Sequence, residues 1–397
     1  MPGPTPTRDE IFGVLRGVID PELGSDIVEL GMARDATVDD AGLATVTVAL
    51  TTAGCPLRSQ LQKDIVARVA SLPGIDDVRF SWTEMTAEQR SLAMSKARWN
   101  VAQRPEDTSV PLSAKVVLIA SGKGGVGKSS VTVNLAAALA ARGLTVGVLD
   151  ADIWGFSVPR MLGVSGPLRA EPGADGVKRM VPHEVPIGPG VIRVVSMGFL
   201  VQGEETALMW RGLMLNRGVQ HFLQDVAWGD DLDYLLVDMP PGTGDVQMGV
   251  AKLLPRSDVV VVTTPARAAQ KVAERAVGMA RKSYLRVAGV IENMSAFRTP
   301  DGASYALFGE GGGEQLAHDS GAPLLGSVPL EPTVSAGGDA GRPAVLGSGP
   351  AADAFRSIAQ RLVDEVVPPA EMAGCSARML DAAAAALDSL DTADARS

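Results

Sequence analysis

The chain has 397 residues, 46% of them hydrophobic and 21% charged, with a formal net charge of −10, a globular balance rather than a fibrous or disordered one. The acidity argues against a protein that coats nucleic acid or anionic membrane, so neither is an expected partner. No apolar run approaches the roughly 20 residues that span a bilayer, and Met1-Pro-Gly-Pro-Thr-Pro-Thr lacks a signal-peptide core, which makes a cytoplasmic location the expectation. Two cysteines, Cys55 and Cys375, are too few for a disulfide framework or for a four-cysteine metal site within one chain.

Taken in order, Ile11, Val14, Leu15 and Val18 share one face of a first helix, which Asp20-Pro-Glu-Leu-Gly breaks. Ala44-Thr-Val-Thr-Val-Ala-Leu-Thr alternates apolar and hydroxyl side chains as a half-buried strand does. A second helix runs through Leu57, Leu61, Ile65, Val66 and Val69, and Asp77-Val-Arg-Phe-Ser-Trp reads as a closing strand. Residues 7–82 are thereby a small α+β domain, within the size that folds alone. The polar, proline-punctuated stretch 83–113 reads as a linker with one helical segment. From Lys115 to about residue 368, continuous apolar runs alternate with helical ones, for example Leu144-Thr-Val-Gly-Val-Leu-Asp, Asp233-Tyr-Leu-Leu-Val-Asp and Asp258-Val-Val-Val-Val-Thr-Thr. Such strands, buried on both faces, predict an α/β, doubly wound, mostly parallel sheet over 114–368. Gly163 to Val191 shows no period and reads as an insertion, and 369–397 as an Ala-rich helical tail ending in disorder.

Between the strand Lys115-Val-Val-Leu-Ile-Ala and a helical stretch lie Gly122, Lys123, Gly124, Gly125, Val126, Gly127, Lys128, Ser129 and Ser130. This is a G-x-x-x-x-G-K-[ST] phosphate loop in its proper strand-to-helix context. Glycines let successive backbone N–H groups face an anion, the helix start adds partial positive charge, Lys128 reaches the outer phosphates, and Ser129 can ligate magnesium. Asp150, Asp152 and Asp238 stand at predicted strand ends, where ligands bind in open α/β sheets. Asp238 has the place of a Walker B aspartate on the magnesium shell, with Gly242 in the switch segment after it. Asp152 is assigned to orient the attacking water and Asp150 to support it; the alternative for all three is that they cap the helices after them.

A second lysine, Lys123, is not required by the general motif. Lys-Gly-Gly-Val-Gly-Lys-Ser-Ser resembles the deviant Walker A of the MinD/ParA class, and that resemblance implies that Lys123 reaches a partner's nucleotide across a homodimer in which ATP and magnesium are the glue. Leu149-Asp-Ala-Asp-Ile, Asp238-Met-Pro-Pro-Gly-Thr-Gly-Asp, Ile291-Glu-Asn-Met-Ser and Phe308-Gly-Glu-Gly-Gly-Gly together resemble the Mrp/ApbC group of iron-sulfur cluster carriers. The first 80 or so residues, with Leu50-Thr-Thr-Ala-Gly-Cys-Pro-Leu, are similar to the small iron-sulfur-assembly domain fused ahead of such ATPases. The resemblance implies slow, switch-type hydrolysis using Lys123, Lys128 and Asp152, a contact from Asn293 to the adenine, and apo iron-sulfur proteins as clients. Asn293 could equally be a turn residue after a strand.

The chain departs from that pattern at one place. Family members carry Cys-Pro-x-Cys shortly after Glu-Asn-Met-Ser, and Thr299 and Gly302 stand here instead; neither substitutes for a soft thiolate on iron. Any cluster must then use other ligands: Cys55, at a predicted helix start where a thiol pKa is lowered, or Cys375, with His183, His221 or His318. Cys55 as a small buried residue is the alternative. The remaining functional readings are a MinD/ParA-like positioning ATPase and a cluster-free assembly adaptor.

Overall fold

The computed structural model describes residues 5–20, 23, 25–51, 58–86, 88–93, 96, 108–172, 176–200, 212–242, 244–299 and 303–369. Helix α1 (Arg8–Leu15) opens with a capping box, in which Thr7 and Glu10 satisfy each other's backbone N–H groups. It buries Ile11, Val14 and Leu15 against strands β1 (Ala33–Val38) and β2 (Leu43–Leu50), helix α2 (Arg58–Val69) and strand β3 (Asp77–Glu84). The three strands run β1-β2-β3, the first pair antiparallel and the second parallel. Their shared core extends from Ile11 to Ala93.

The large unit is built on strands β4 (Lys115–Ser121), β5 (Thr145–Asp150), β6 (His183–Ile187), β7 (Gly190–Ser196), β8 (Tyr234–Asp238), β9 (Asp258–Thr263), β10 (Arg286–Arg298), β11 (Ser304–Tyr305) and β12 (Leu324–Leu330). Among the described residues they form one sheet of nine strands, ordered β6-β7-β5-β8-β4-β9-β10, with β11 and β12 both paired to β10. Only β6 and β11 run antiparallel. Every residue of β8 and β9 is buried, as strands covered on both faces must be. Helices α3 (Lys128–Ala141), α4 (Gly212–Asp225), α5 (Asp245–Leu253), α6 (Arg267–Lys282), α7 (Gly312–Asp319) and α8 (Pro350–Arg361) supply the cover. One core lies on each face of the sheet: Trp228, Phe222 and Leu235 in the first, Tyr234, Phe355 and the buried side of α3 in the second. No helix among the described residues is long and apolar enough to cross a membrane.

Three parts differ from the sequence expectation. Within Gly163 to Val191, Arg169–Pro172 and Lys178–Val181 pair antiparallel, and β6 forms the sheet's edge. Pro186 is compatible with β6 because an edge strand leaves one side unpaired. The end of the expected linker belongs to the large unit, since Val110 and Ala114 are buried in its core and the Ser109 hydroxyl donates to Val226 O at 2.6 Å. Its start, residues 83 and 84, completes β3. Residues 370–397 lie outside the described residues.

Candidate functional site

The site forms where β4, β5 and β8 end side by side. Strand β4 delivers the chain to the loop and α3 takes it away; Gly127, the residue before α3, has φ +79°. That left-handed conformation disfavours a side chain, and a Cβ there would also run into the Asn293 amide nitrogen. Lys123, Gly124 and Gly125 are exposed, whereas Val126 and Lys128 are buried. A Cβ at Gly125 would meet nothing, so the loop stands open on the side a ligand would take.

Beneath the loop, Asp238 at the end of β8 gathers three donors. Lys128 Nζ lies 2.8 Å from its Oδ1, Thr132 Oγ1 donates to the same oxygen at 2.8 Å, and Ser129 Oγ donates to Oδ2 at 2.5 Å. The carboxylate is fully buried and Lys128 is 6% exposed, so the pair depends on its hydrogen bonds to offset desolvation. Removing either partner leaves an uncompensated charge. Thr132, one turn beyond Lys128, also bonds back to Lys128 O; the motif gave no sign of it, although an i, i+4 spacing from the lysine would have found it.

Next to Asp238, the Asp150 oxygens accept from the Asp152 N–H at 3.1 Å and from Ser196 Oγ at 3.1 Å. Burial pushes this carboxyl up to about 7; Asp238 adds to the rise and Lys128 opposes it. Burial likewise raises Asp152, against the pull of Lys128, and its Oδ1 accepts the Gly155 N–H at 3.2 Å. Three carboxyl groups therefore surround one buried ammonium.

The segment after β8 is tied down at both ends. The Gly242 N–H donates to Ser121 O at 3.1 Å, and Gln247 Nε2 donates to both Pro240 O and Gly242 O at 2.6 Å. Gln247 is 1% exposed and was not singled out by sequence, because a glutamine seven residues past a proline carries no motif. On the other side of the loop, Asn293 donates to Val126 O at 2.9 Å and is buried. Its carboxamide clamps the phosphate loop to β10. Glu292 beside it accepts the Gly313 N–H at 2.6 Å, joining the Glu-Asn-Met-Ser and Gly-Glu-Gly-Gly-Gly segments.

The structure thus brings Lys128, Ser129, Asp150, Asp152, Asp238 and Asn293 around one loop, and sets Lys123 on its exposed rim. Cys55, Cys375 and Gly302 lie outside the described residues. Thr299 closes the β10–β11 hairpin, its hydroxyl and N–H both bonding to Ala303 O. The three histidines sit on different elements and engage neighbours: His183 the Gly166 carbonyl, His221 Asp225 and His318 Asp319. Among the described residues no group of histidine, cysteine and acidic side chains could hold a metal ion.

A family described as NUBPL iron-transfer P-loop NTPase matches residues 113–363, and one described as iron-sulfur cluster assembly protein matches residues 8–82. The chain is 45% identical to an iron-sulfur cluster carrier protein of Mycobacterium leprae over 85% of its own length and 88% of that relative's. Over 91% and 98% of the respective lengths it is 42% identical to one of Synechocystis. A solved nucleotide-binding protein of Archaeoglobus fulgidus, in complex with ADP, is 34% identical with a TM-score of 0.50, covering 59% of this chain and 89% of that one.

Proposed function

Because the chain belongs to the iron-sulfur cluster carrier family of P-loop NTPases, we propose that it is an ATP-driven homodimeric carrier or assembly factor acting on apo iron-sulfur proteins in the cytoplasm. The observation that carries this reading is the buried Lys128–Asp238–Ser129–Thr132 cluster beneath an open glycine loop. Lys128 is paired with Asp238; a triphosphate in the loop would offer it a second anion. Its ammonium would then turn outward, leaving Asp238 and Ser129 as hard oxygen donors for magnesium, which would neutralise phosphate charge. Asp152 would orient the attacking water, with Asp150 behind it. Lys123, exposed on the rim, would reach a partner's nucleotide, and Gly242 would report the outermost phosphate. Asn293 would contact the adenine with the amide hydrogen that Val126 leaves free.

A cluster-free adaptor is the second reading, favoured by Thr299, whose hydroxyl is occupied within its own hairpin where the family's first bridging thiolate would stand. One experiment separates the two. The chain is reconstituted anaerobically with iron and sulfide, with and without ATP, as parent, Lys128→Ala, Cys55→Ala and Cys375→Ala. The carrier reading expects stoichiometric iron and a visible absorption band, lost in one cysteine variant. It also expects ATP-dependent dimerisation by light scattering, lost in Lys128→Ala. Iron-free parent protein that still dimerises with ATP supports the adaptor, and dimerisation unchanged in Lys128→Ala removes the nucleotide switch from both readings.

A further inference from the structure

We propose that residues 370–397 dock in the cleft between the N-terminal unit and the large unit. The cleft has a volume of about 710 Å³. Its rim carries four cations, Arg16 just past α1, Lys252 from α5, and Arg275 and Lys282 from α6. No carboxylate is among its described lining residues, in a chain whose net charge is −10. None of the four forms an ion pair with a described residue; Arg16 acts only at a distance, on Asp26. The floor is apolar, with Met248 and Tyr284 43% and 45% exposed. Tyr284 holds φ +57° and lays its ring over Gly13, where a Cβ would collide with it.

The undescribed segment matches this surface. It carries Glu371, Asp381, Asp388, Asp391 and Asp394 against Arg378 and Arg396, with methionines and leucines between them. The residues just before it are tied to the start of β10, which follows the cleft in sequence. Both terminal nitrogens of Arg286 donate to Val366 O at 3.1 Å, and Tyr234 Oη donates to Val367 O at 2.5 Å. Ser283 and Tyr284, which line the cleft, stand three and two residues before Arg286. Eight further residues take an extended chain about 28 Å from Val367 to Cys375. Opposite charge and apolar cover then favour the docked state, and its electrostatic part weakens with salt.

The test uses the full chain carrying Cys55→Ala and Ser283→Cys, so that Cys375 is the only other thiol, and tracks oxidative crosslinking between them. Ala141→Cys is the control, because its neighbour Arg142 pairs with Asp364 at 3.0 Å, near the exit, and no residue of α3 lines the cleft. The Ser283→Cys chain should crosslink within one molecule at least about tenfold faster than the control. Both 1 M salt and the combined Lys252→Glu, Arg275→Glu and Lys282→Glu substitutions should abolish that advantage, the salt arm requiring no folded variant. Equal rates at the two positions, an advantage that survives both treatments, or a crosslink found only between two chains overturns the proposal.

Discussion

Asp150 is wholly buried with both oxygens hydrogen-bonded, and burial beside Asp238 lifts its carboxyl to about 7. An unfolded aspartate titrates near 3.9. Between those values the folded chain holds a proton that the unfolded chain has released, so stability falls as pH rises through the window and stays lower above it. The three-unit gap caps the effect at about 4 kcal/mol. Asparagine has the same shape, accepts from the Asp152 N–H through its own oxygen and presents its amide to the Ser196 hydroxyl. In metal- and nucleotide-free protein, Asp150→Asn should therefore raise stability in urea at pH 8, by about 1–3 kcal/mol, and change it little near pH 4.5. A variant less stable than the parent at pH 8 would show that Asp150 is charged and usefully paired in the folded state.

At the scale of elements, sequence reveals the parts that a local pattern dictates. The run Lys115 to Ser121, the glycine loop and α3 declare themselves, because a fully buried strand is continuously apolar and the loop's chemistry demands fixed residues. Strand β6 does not: at an edge it is half-buried, only five residues long and contains Pro186, so neither period nor propensity marks it. Nor does the loop's support, since Thr132, Gln247 and Ser196 act through tertiary contacts that no local motif announces. Gln247 makes the consequence testable. Its amide bridges Pro240 O and Gly242 O, fixing the segment after β8 to α5 from below. Gln247→Ala removes two hydrogen bonds to carbonyls, each contributing about 1 kcal/mol, and frees the segment that would sense the outer phosphate. ATP turnover should fall about tenfold while ADP affinity moves less than about threefold, read by steady-state hydrolysis and calorimetry. An equal loss of ADP affinity would place Gln247 in nucleotide binding itself.

At the scale of the molecule, the two units meet through Arg68. This α2 arginine is 7% exposed, donates to Arg256 O at 2.7 Å and lies 3.9 Å from Asp258, which Arg286 also approaches at 3.5 Å. Burial lowers its pKa, Asp258 working against that shift, and one of its terminal nitrogens has no hydrogen-bond partner. A buried cation with incomplete partners is a poor source of stability but a specific one, because separating the units exposes Asp258 and the Arg256 carbonyl together. Gly17 packs against the guanidinium, where a Cβ would collide with Arg68, so the contact also constrains the small unit. Arg68→Ala leaves Asp258 paired to Arg286 and should not unfold the large unit. It removes a charged hydrogen bond of about 1.5–3 kcal/mol, enough to shift the docked population roughly tenfold or more. Proteolysis within residues 87–107 should accelerate by that factor and the radius of gyration should grow, with ADP affinity unchanged. Unaltered cleavage and size would mean that the apolar contact of Tyr284 on Gly13 holds the units together without the arginine.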